Sequence, residues 1–181
     1  YVNGSAINSG SKSYITLTAA KATAINMNNS LSVDIGDYLA TAAKVATVNG
    51  AGATAAITAT IAATPTQGTA FTGGSGNDVV TIKASSDLSA NATTAAVTTV
   101  NLGAGNDQLL NGGSNSSNLT FTGASFNGGD GNDTVAISLI TVGNASKFTN
   151  FETLGLDLAS AGSADTSILG GITGFNLQIG R

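Results

Sequence analysis

Gly73-Gly74-Ser75-Gly76-Asn77-Asp78, Leu102-Gly103-Ala104-Gly105-Asn106-Asp107 and Gly128-Gly129-Asp130-Gly131-Asn132-Asp133 say nearly the same thing, x-Gly-x-Gly-Asn-Asp. Two residues after each Asp stands an aliphatic side chain: Val80, Leu109 and Val135. Glycine permits turns at positive φ and leaves carbonyl oxygens uncovered, while Asp supplies a hard anionic oxygen. The aliphatic residue opens a strand that can face a core. A turn followed by a strand, three times over, sets the expected fold class.

The spacing of the motifs carries as much as their content. Successive Asp residues lie 29 and 26 residues apart, too far for the two arms of a hairpin and close to constant, which suggests one structural repeat per motif. A parallel β-helix or β-roll accommodates such a coil, and it would stack the three Gly-rich turns on one edge, offset by the ~4.8 Å between strands. Further strand-like runs punctuate residues 69–181: Val79 to Ile82, Val97 to Val100, Leu119 to Phe121, Thr134 to Ile137 and Leu154 to Leu156. The expected fold is therefore all-β, a parallel β-helix/β-roll at 69–181. A degenerate fourth copy is expected at Gly112 to Leu119, with Ser117 where the Asp should stand.

Residues 1–68 have a different texture, Ala/Thr-rich and without the Gly-Asn-Asp signature, and read as a smaller, mostly β region. Ser13 to Thr18 and Ile57 to Ile61 alternate with a period of two. Thr64-Pro65-Thr66-Gln67-Gly68 reads as the junction. Between Asp34 and Val48 two readings compete. One is a short helix near 35–47, capped by Asp34 with Ile35, Leu39, Ala43 and Ala46 at helical spacing. The other is a pair of short strands around Val33 and Val45 to Val48.

Composition narrows the chemistry. Charged residues are 9% of the 181 and mean hydropathy is +0.22, against ~25% charged in an ordinary domain. The net charge of −4 and the scattered lysines offer no basic cluster for phosphates or anionic lipid, so nucleic acid is excluded as a partner. No apolar run approaches the ~18 residues of a membrane span. With no Cys and no His, thiolate metal sites, imidazole bases and Ser-His-Asp chemistry are all unavailable. No Gly-x-Ser-x-Gly elbow is present, and the obvious carboxylates belong to the turns. The chain reads as a non-enzyme.

Three Asp side chains stacked ~5 Å apart would repel pairwise by about 3 kcal/mol at an effective dielectric near 20. A divalent cation between turns reverses that sign. Calcium takes six to eight oxygens in flexible geometry and accepts carbonyls as readily as carboxylates, whereas magnesium holds its waters and a stricter octahedron. A plain tight turn explains one copy well but three matching copies poorly. A phosphate loop is excluded by the missing Lys and by the Asp itself. The candidate calcium ligands are Gly73, Ser75, Asn77 and Asp78 in the first turn, Leu102, Ala104, Asn106 and Asp107 in the second, and Gly128, Asp130, Asn132 and Asp133 in the third.

The first and third motifs, with Val79-Val80 and Thr134-Val135 after them, resemble the nonapeptide of the repeats-in-toxin (RTX) family, a calcium-binding β-helix repeat. The middle copy departs at its first position, Leu102, and the motifs are separated by long inserts where the family usually runs them in tandem. Sites between coils are therefore expected in place of sites between consecutive nonapeptides. The resemblance covers about residues 71–136. Phe148-Thr149-Asn150-Phe151-Glu152-Thr153-Leu154 looks like a segment that accompanies such repeats in bacterial surface-layer and adhesin-like proteins. On chemistry alone, Phe151 and Leu154 are core residues and Glu152 an exposed or turn-capping carboxylate.

The resemblance implies a secreted structural segment at a bacterial cell surface, folding and assembling on calcium with identical subunits, with a cell-surface polysaccharide as a further candidate partner. An adhesin or stalk module, or the non-catalytic RTX region of a secreted enzyme or toxin, is the alternative. The opening without Met and the ending without a recognisable export signal are read as those of an internal segment of a longer protein.

Overall fold

A computed structural model describes residues 13–14, 23–36, 47–61, 69–83, 98–112, 123–156, 167 and 169–177. Short strands, numbered here in chain order, fall into two sheets. The eight-stranded sheet runs β1 (Ser13–Tyr14), β3 (Val33–Asp34), β5 (Ile57–Ile61), β7 (Val79–Ile82), β9 (Gln108–Asn111), β11 (Thr134–Ala136), β13 (Thr153–Leu156) and β14 (Gly174–Leu177). The six-stranded sheet runs β2 (Ala24–Asn26), β4 (Thr47–Asn49), β6 (Ala70–Thr72), β8 (Thr99–Asn101), β10 (Ser125–Asn127) and β12 (Phe148–Thr149). Every pairing is parallel, and from β1 to β13 each strand pairs with the next but one, while β14 pairs directly with β13. That topology is a β-solenoid, each circuit up to β13 laying one strand on each sheet.

The core lies between the sheets, and period-two alternation builds it. In β5 the pattern Ile57, Ala59, Ile61 points inward while Thr58 and Thr60 lie outside it. Register then stacks like on like: Ala59, Val80, Leu109, Val135 and Leu154 form one inward column. From the facing sheet comes Ile25, Val48, Phe71, Val100, Phe126 and Phe148. Phe126 and Phe148 stack with ring centroids 4.8 Å apart, and Phe151 meets Phe148 edge-on. Burying each such aliphatic or aromatic side chain contributes roughly 1.5–3 kcal/mol. Phe151 and Leu154 are core residues, as their chemistry suggested.

The change of texture at residue 68 coincides with no break in either sheet: β4 pairs with β6 and β5 with β7 across it. Near Asp34 the described residues follow the strand reading. Val33–Asp34 and Thr47–Asn49 are strands, and Asp34 Oδ1 accepts the Gly36 amide at 2.7 Å, closing an Asx turn with Gly36 at φ 48° where the helix reading needs Ile35 and Gly36 in the first helical turn. The remainder of that candidate helix, 37–46, lies outside the described residues, as do Leu119 to Phe121 and most of the degenerate fourth copy, 113–122. The run Thr134 to Ile137 is strand only to Ala136 and continues as a 3₁₀ turn, Ile137–Leu139. Among the described residues no helix is long and apolar enough to cross a membrane.

Each Gly-rich motif is the link from the six-stranded sheet to the eight-stranded one: residues 73–78 join β6 to β7, 102–107 join β8 to β9, and 128–133 join β10 to β11. All three turns therefore lie on the same edge.

Candidate metal centre

The turns fit one another because they lack side chains where they touch. A Cβ on Gly129 or Gly131 would collide with the carbonyl oxygen of Gly103 or Gly105 in the coil before, and these two glycines stand at φ 109° and 144°. Both demands exclude an L side chain. The close approach lets the turns hydrogen-bond as the strands do: Ala104 donates to Gly74 O at 2.8 Å, Asp130 to Gly103 O at 2.9 Å, and Gly105 to Asp130 O at 2.9 Å.

Behind this backbone stack the three carboxylates form a ladder. Asp78, Asp107 and Asp133 are 0%, 1% and 0% exposed. Each Oδ1 accepts the backbone N–H of the matching residue one coil earlier: Ile57 to Asp78 at 2.7 Å, Asp78 to Asp107 at 2.6 Å, and Asp107 to Asp133 at 2.8 Å. Glu152 adds a further rung, its Oε2 accepting the Asp133 amide at 2.9 Å. It thus caps the ladder, half-buried, from the shorter link between β12 and β13. Half of every carboxylate is thereby committed to holding the coils together.

The second oxygens are less well served. Asp78 Oδ2 takes the Gly74 amide at 3.2 Å, whereas Asp107 Oδ2 and Asp133 Oδ2 are buried with no hydrogen-bond partner. A buried, unpartnered carboxylate oxygen is costly. Carbonyl oxygens lie beside the first and third of these carboxylates. A Cβ built on Gly73 would meet both Asp78 Oδ2 and the Leu102 carbonyl, and one on Gly128 would meet the Asn150 carbonyl and lie 2.7 Å from Asp133 Oδ2. The first and third turns thus bring anionic and carbonyl oxygens together, a donor set suited to a hard cation.

Electrostatics agrees with that geometry. Burial raises Asp78 from 3.8 to about 6, against the lowering effect of the Ile57 and Gly74 amides. Burial raises Asp107 to about 7, the Asp78 amide opposing it and the neighbouring Asp78 and Asp133 charges adding to it. Asp133 is raised too, first by burial and further by Glu152 and Asp130. Three carboxylates are thus held where their charged forms are disfavoured without a counter-charge.

The remaining candidate ligands are placed differently. Asn77, Asn106 and Asn132 are exposed and form a second ladder running the other way: Asn77 Oδ1 accepts the Asn106 amide at 2.9 Å and Asn106 Oδ1 the Asn132 amide at 3.0 Å, while Thr153 Oγ1 donates to Asn132 Oδ1 at 2.7 Å. Ser75 and Asp130 are exposed, and Ala104 half-buried, at the third position of the turn. The side chain of Leu102 is fully buried in the core and only its backbone faces the Gly73 turn. Among the described residues no three acidic, His or Cys side chains cluster as a metal-holding group, so a cation here would need backbone oxygens beside the carboxylates. The Asn150 carbonyl was not singled out from the sequence. Of the two readings the sequence offered for Glu152, exposed or turn-capping, the capping one holds: it is half-buried and accepts the Asp133 amide. The signal was present in Glu152-Thr153-Leu154, which repeats the acid and aliphatic offset of Asp133-Thr134-Val135.

In comparisons with known proteins, no family model, no curated protein and no solved structure matches this chain.

Proposed function

We propose that the chain is a structural, calcium-binding segment of a secreted bacterial surface-layer protein, a β-solenoid whose folding and assembly depend on calcium. The observation that carries the calcium reading is the pair of buried, partnerless oxygens, Asp107 Oδ2 and Asp133 Oδ2, inside a stack of turns lined by carbonyls. Asp78, Asp107 and Asp133 would hold the cation through Oδ2, with the Leu102 and Asn150 carbonyls as further donors. Bound calcium supplies positive charge that offsets the mutual repulsion and desolvation of the ladder. The chain's own groups do the rest: the Oδ1 atoms fix the coils in register and the glycines let the turns approach. The surface-layer assignment rests on the resemblance to RTX repeats and on a composition without catalytic chemistry.

The test has two readouts. Circular dichroism of the chain in chelator, in calcium and in magnesium should show β signal and melting point rising with calcium and much less with magnesium. Equal curves in all three conditions would refute the calcium reading. Light scattering of the full-length parent against calcium concentration reads assembly, and a particle size indifferent to calcium counts against the surface-layer role.

A further inference from the structure

The two ends of the solenoid are not equally closed. At the C-terminal end the eight-stranded sheet finishes on β14, which pairs with β13 alone. The six-stranded sheet finishes earlier, on β12, and among the described residues no strand of that sheet lies beyond it. Register carries the inward column of the larger sheet one step past Leu154, to Phe175. Leu154 is 2% exposed and Phe175 62%. Leu169 and Ile172, from the same last stretch, pack against the core and are half-buried. A core position is thus left open with its apolar side chain already in place. At the other end Ile25, on the terminal strand β2, is buried.

Two features of the open end state what would cover it. One is backbone. Along the free edge of β14 the N–H and C=O groups have no strand beside them among the described residues, and another extended backbone is what satisfies a row of that spacing. The other is the Phe175 ring, which stands in the inward column with no further coil against it. A partner must bring a strand and an apolar side chain on the same inner face. Proteins block such edges with Lys, Pro or a bulge, whereas the run from Thr166 to Gly180 holds no charged residue and no proline. Residues 178–181 are too few to add a coil, since the circuit from Thr134 to its partner Thr153 takes 19 residues.

We propose that this end is a self-association surface, at which two copies meet tail to tail with β14 pairing antiparallel to β14 of the second copy. A two-fold axis normal to the larger sheet makes that pair and keeps both inner faces on the same side, so each Phe175 covers the open core of the other copy. The contact is isologous, one patch meeting itself, and a second copy carries both requirements in a single strand. Head-to-tail stacking would need an open core at the β2 end, where Ile25 is buried. The proposal gives the assembly part of the proposed function a surface and does not rest on the calcium reading.

The experiment weighs the full chain by sedimentation across a dilution series, in calcium and in chelator, with the β signal checked at each step. The wild type is expected to rise with concentration from the 17.6 kDa of one chain to twice that mass and to stop there. Phe175→Lys puts a charge into the joint and should weaken the dimer by about tenfold or more, with the β signal kept because the side chain is mostly exposed. Ala51→Lys, on an exposed turn residue between β4 and β5, should dimerise as the wild type does. If Phe175→Lys loses its β signal, Asn176→Lys, exposed on the same strand, is read in its place. A wild type that stays at the mass of one chain overturns the proposal, as does a dimer indifferent to the Lys substitutions in β14. Masses that climb past two chains overturn the two-fold contact in favour of head-to-tail stacking. A dimer that is lost in Phe175→Lys, from a chain that does not respond to calcium, refutes the calcium reading and supports this one.

Discussion

At the scale of single residues, Asp107 has one job that is observed, accepting an amide, and a second that is proposed, holding a cation. Its Oδ1 satisfies the buried Asp78 amide and its Oδ2 has no partner. Asn can take over the first job and not the anionic part of the second. Asp107→Asn should therefore melt at or above the parent in chelator, because a buried charge has gone, and should lose much of the gain that calcium gives the parent. Asp107→Ala leaves the Asp78 amide without an acceptor and should lose about 1–3 kcal/mol in either condition. Thermal melts of both variants, with and without calcium, decide it; a full calcium gain in the Asn variant rules out that carboxylate as a ligand. The same ladder fixes a pH dependence. Asp78 at about 6 and Asp107 at about 7 lie above the ordinary 3.8, so the metal-free fold keeps protons that the unfolded chain has released. Its stability is fullest below about pH 4 and is lost as pH rises through 6 to 7. In chelator the melting point should be higher at pH 5 than at pH 8, and the reverse order would contradict the burial of these acids.

At the scale of elements, the sequence is legible where a pattern repeats over enough residues. β5 and β7 are long enough for alternation to show, and the three motifs announce their own stacking by their spacing. The six-stranded sheet is harder to see, since Ala24–Asn26, Ala70–Thr72 and Ser125–Asn127 are three residues each and three residues carry almost no periodicity. Glu152 was legible as a turn-capping carboxylate but not as a rung of the ladder: its link is shorter and contains no Gly-rich turn, so the longer side chain does the work of Asp. Asp34 drew a helix reading because an Asx turn and a helix N-cap use the same residue types for the same local bond. The turns themselves offer a direct test. Gly131→Ala meets both a left-handed φ and the Gly105 carbonyl, so it should destabilise by about 2 kcal/mol or more. Gly170→Ala, with nothing within 4 Å of the added Cβ, should stay within about 0.5 kcal/mol. Denaturant midpoints measure both, and equal effects would mean that the coils do not pack at the observed separation.

At the scale of the whole molecule, coils that touch only their neighbours pass stability along a line, and the question is how far the line runs. A boundary at residue 68 would stop it. The structure instead carries both sheets across that point, and one bond crosses it directly: Ile57 donates to Asp78 Oδ1 at 2.7 Å, linking a strand of the Ala/Thr-rich region to the first acidic turn. A ligand bound only by the folded ladder, at a hundred times its dissociation constant, adds about 2.7 kcal/mol per site. With continuous stacking, part of that gain must reach β4 and β5 although neither contains an acidic turn. Hydrogen exchange of the full chain, with calcium and then with chelator, separates the two cases. Protection of amides at 47–61 should fall together with protection at 69–83 when the cation is removed, the Ile57 amide most clearly of all. If 47–61 keeps its protection while 69–83 loses it, the two regions unfold as separate units and the texture of the sequence marks a true boundary. If neither changes, the carboxylate ladder stands without a cation, and its charge is relieved by protonation alone.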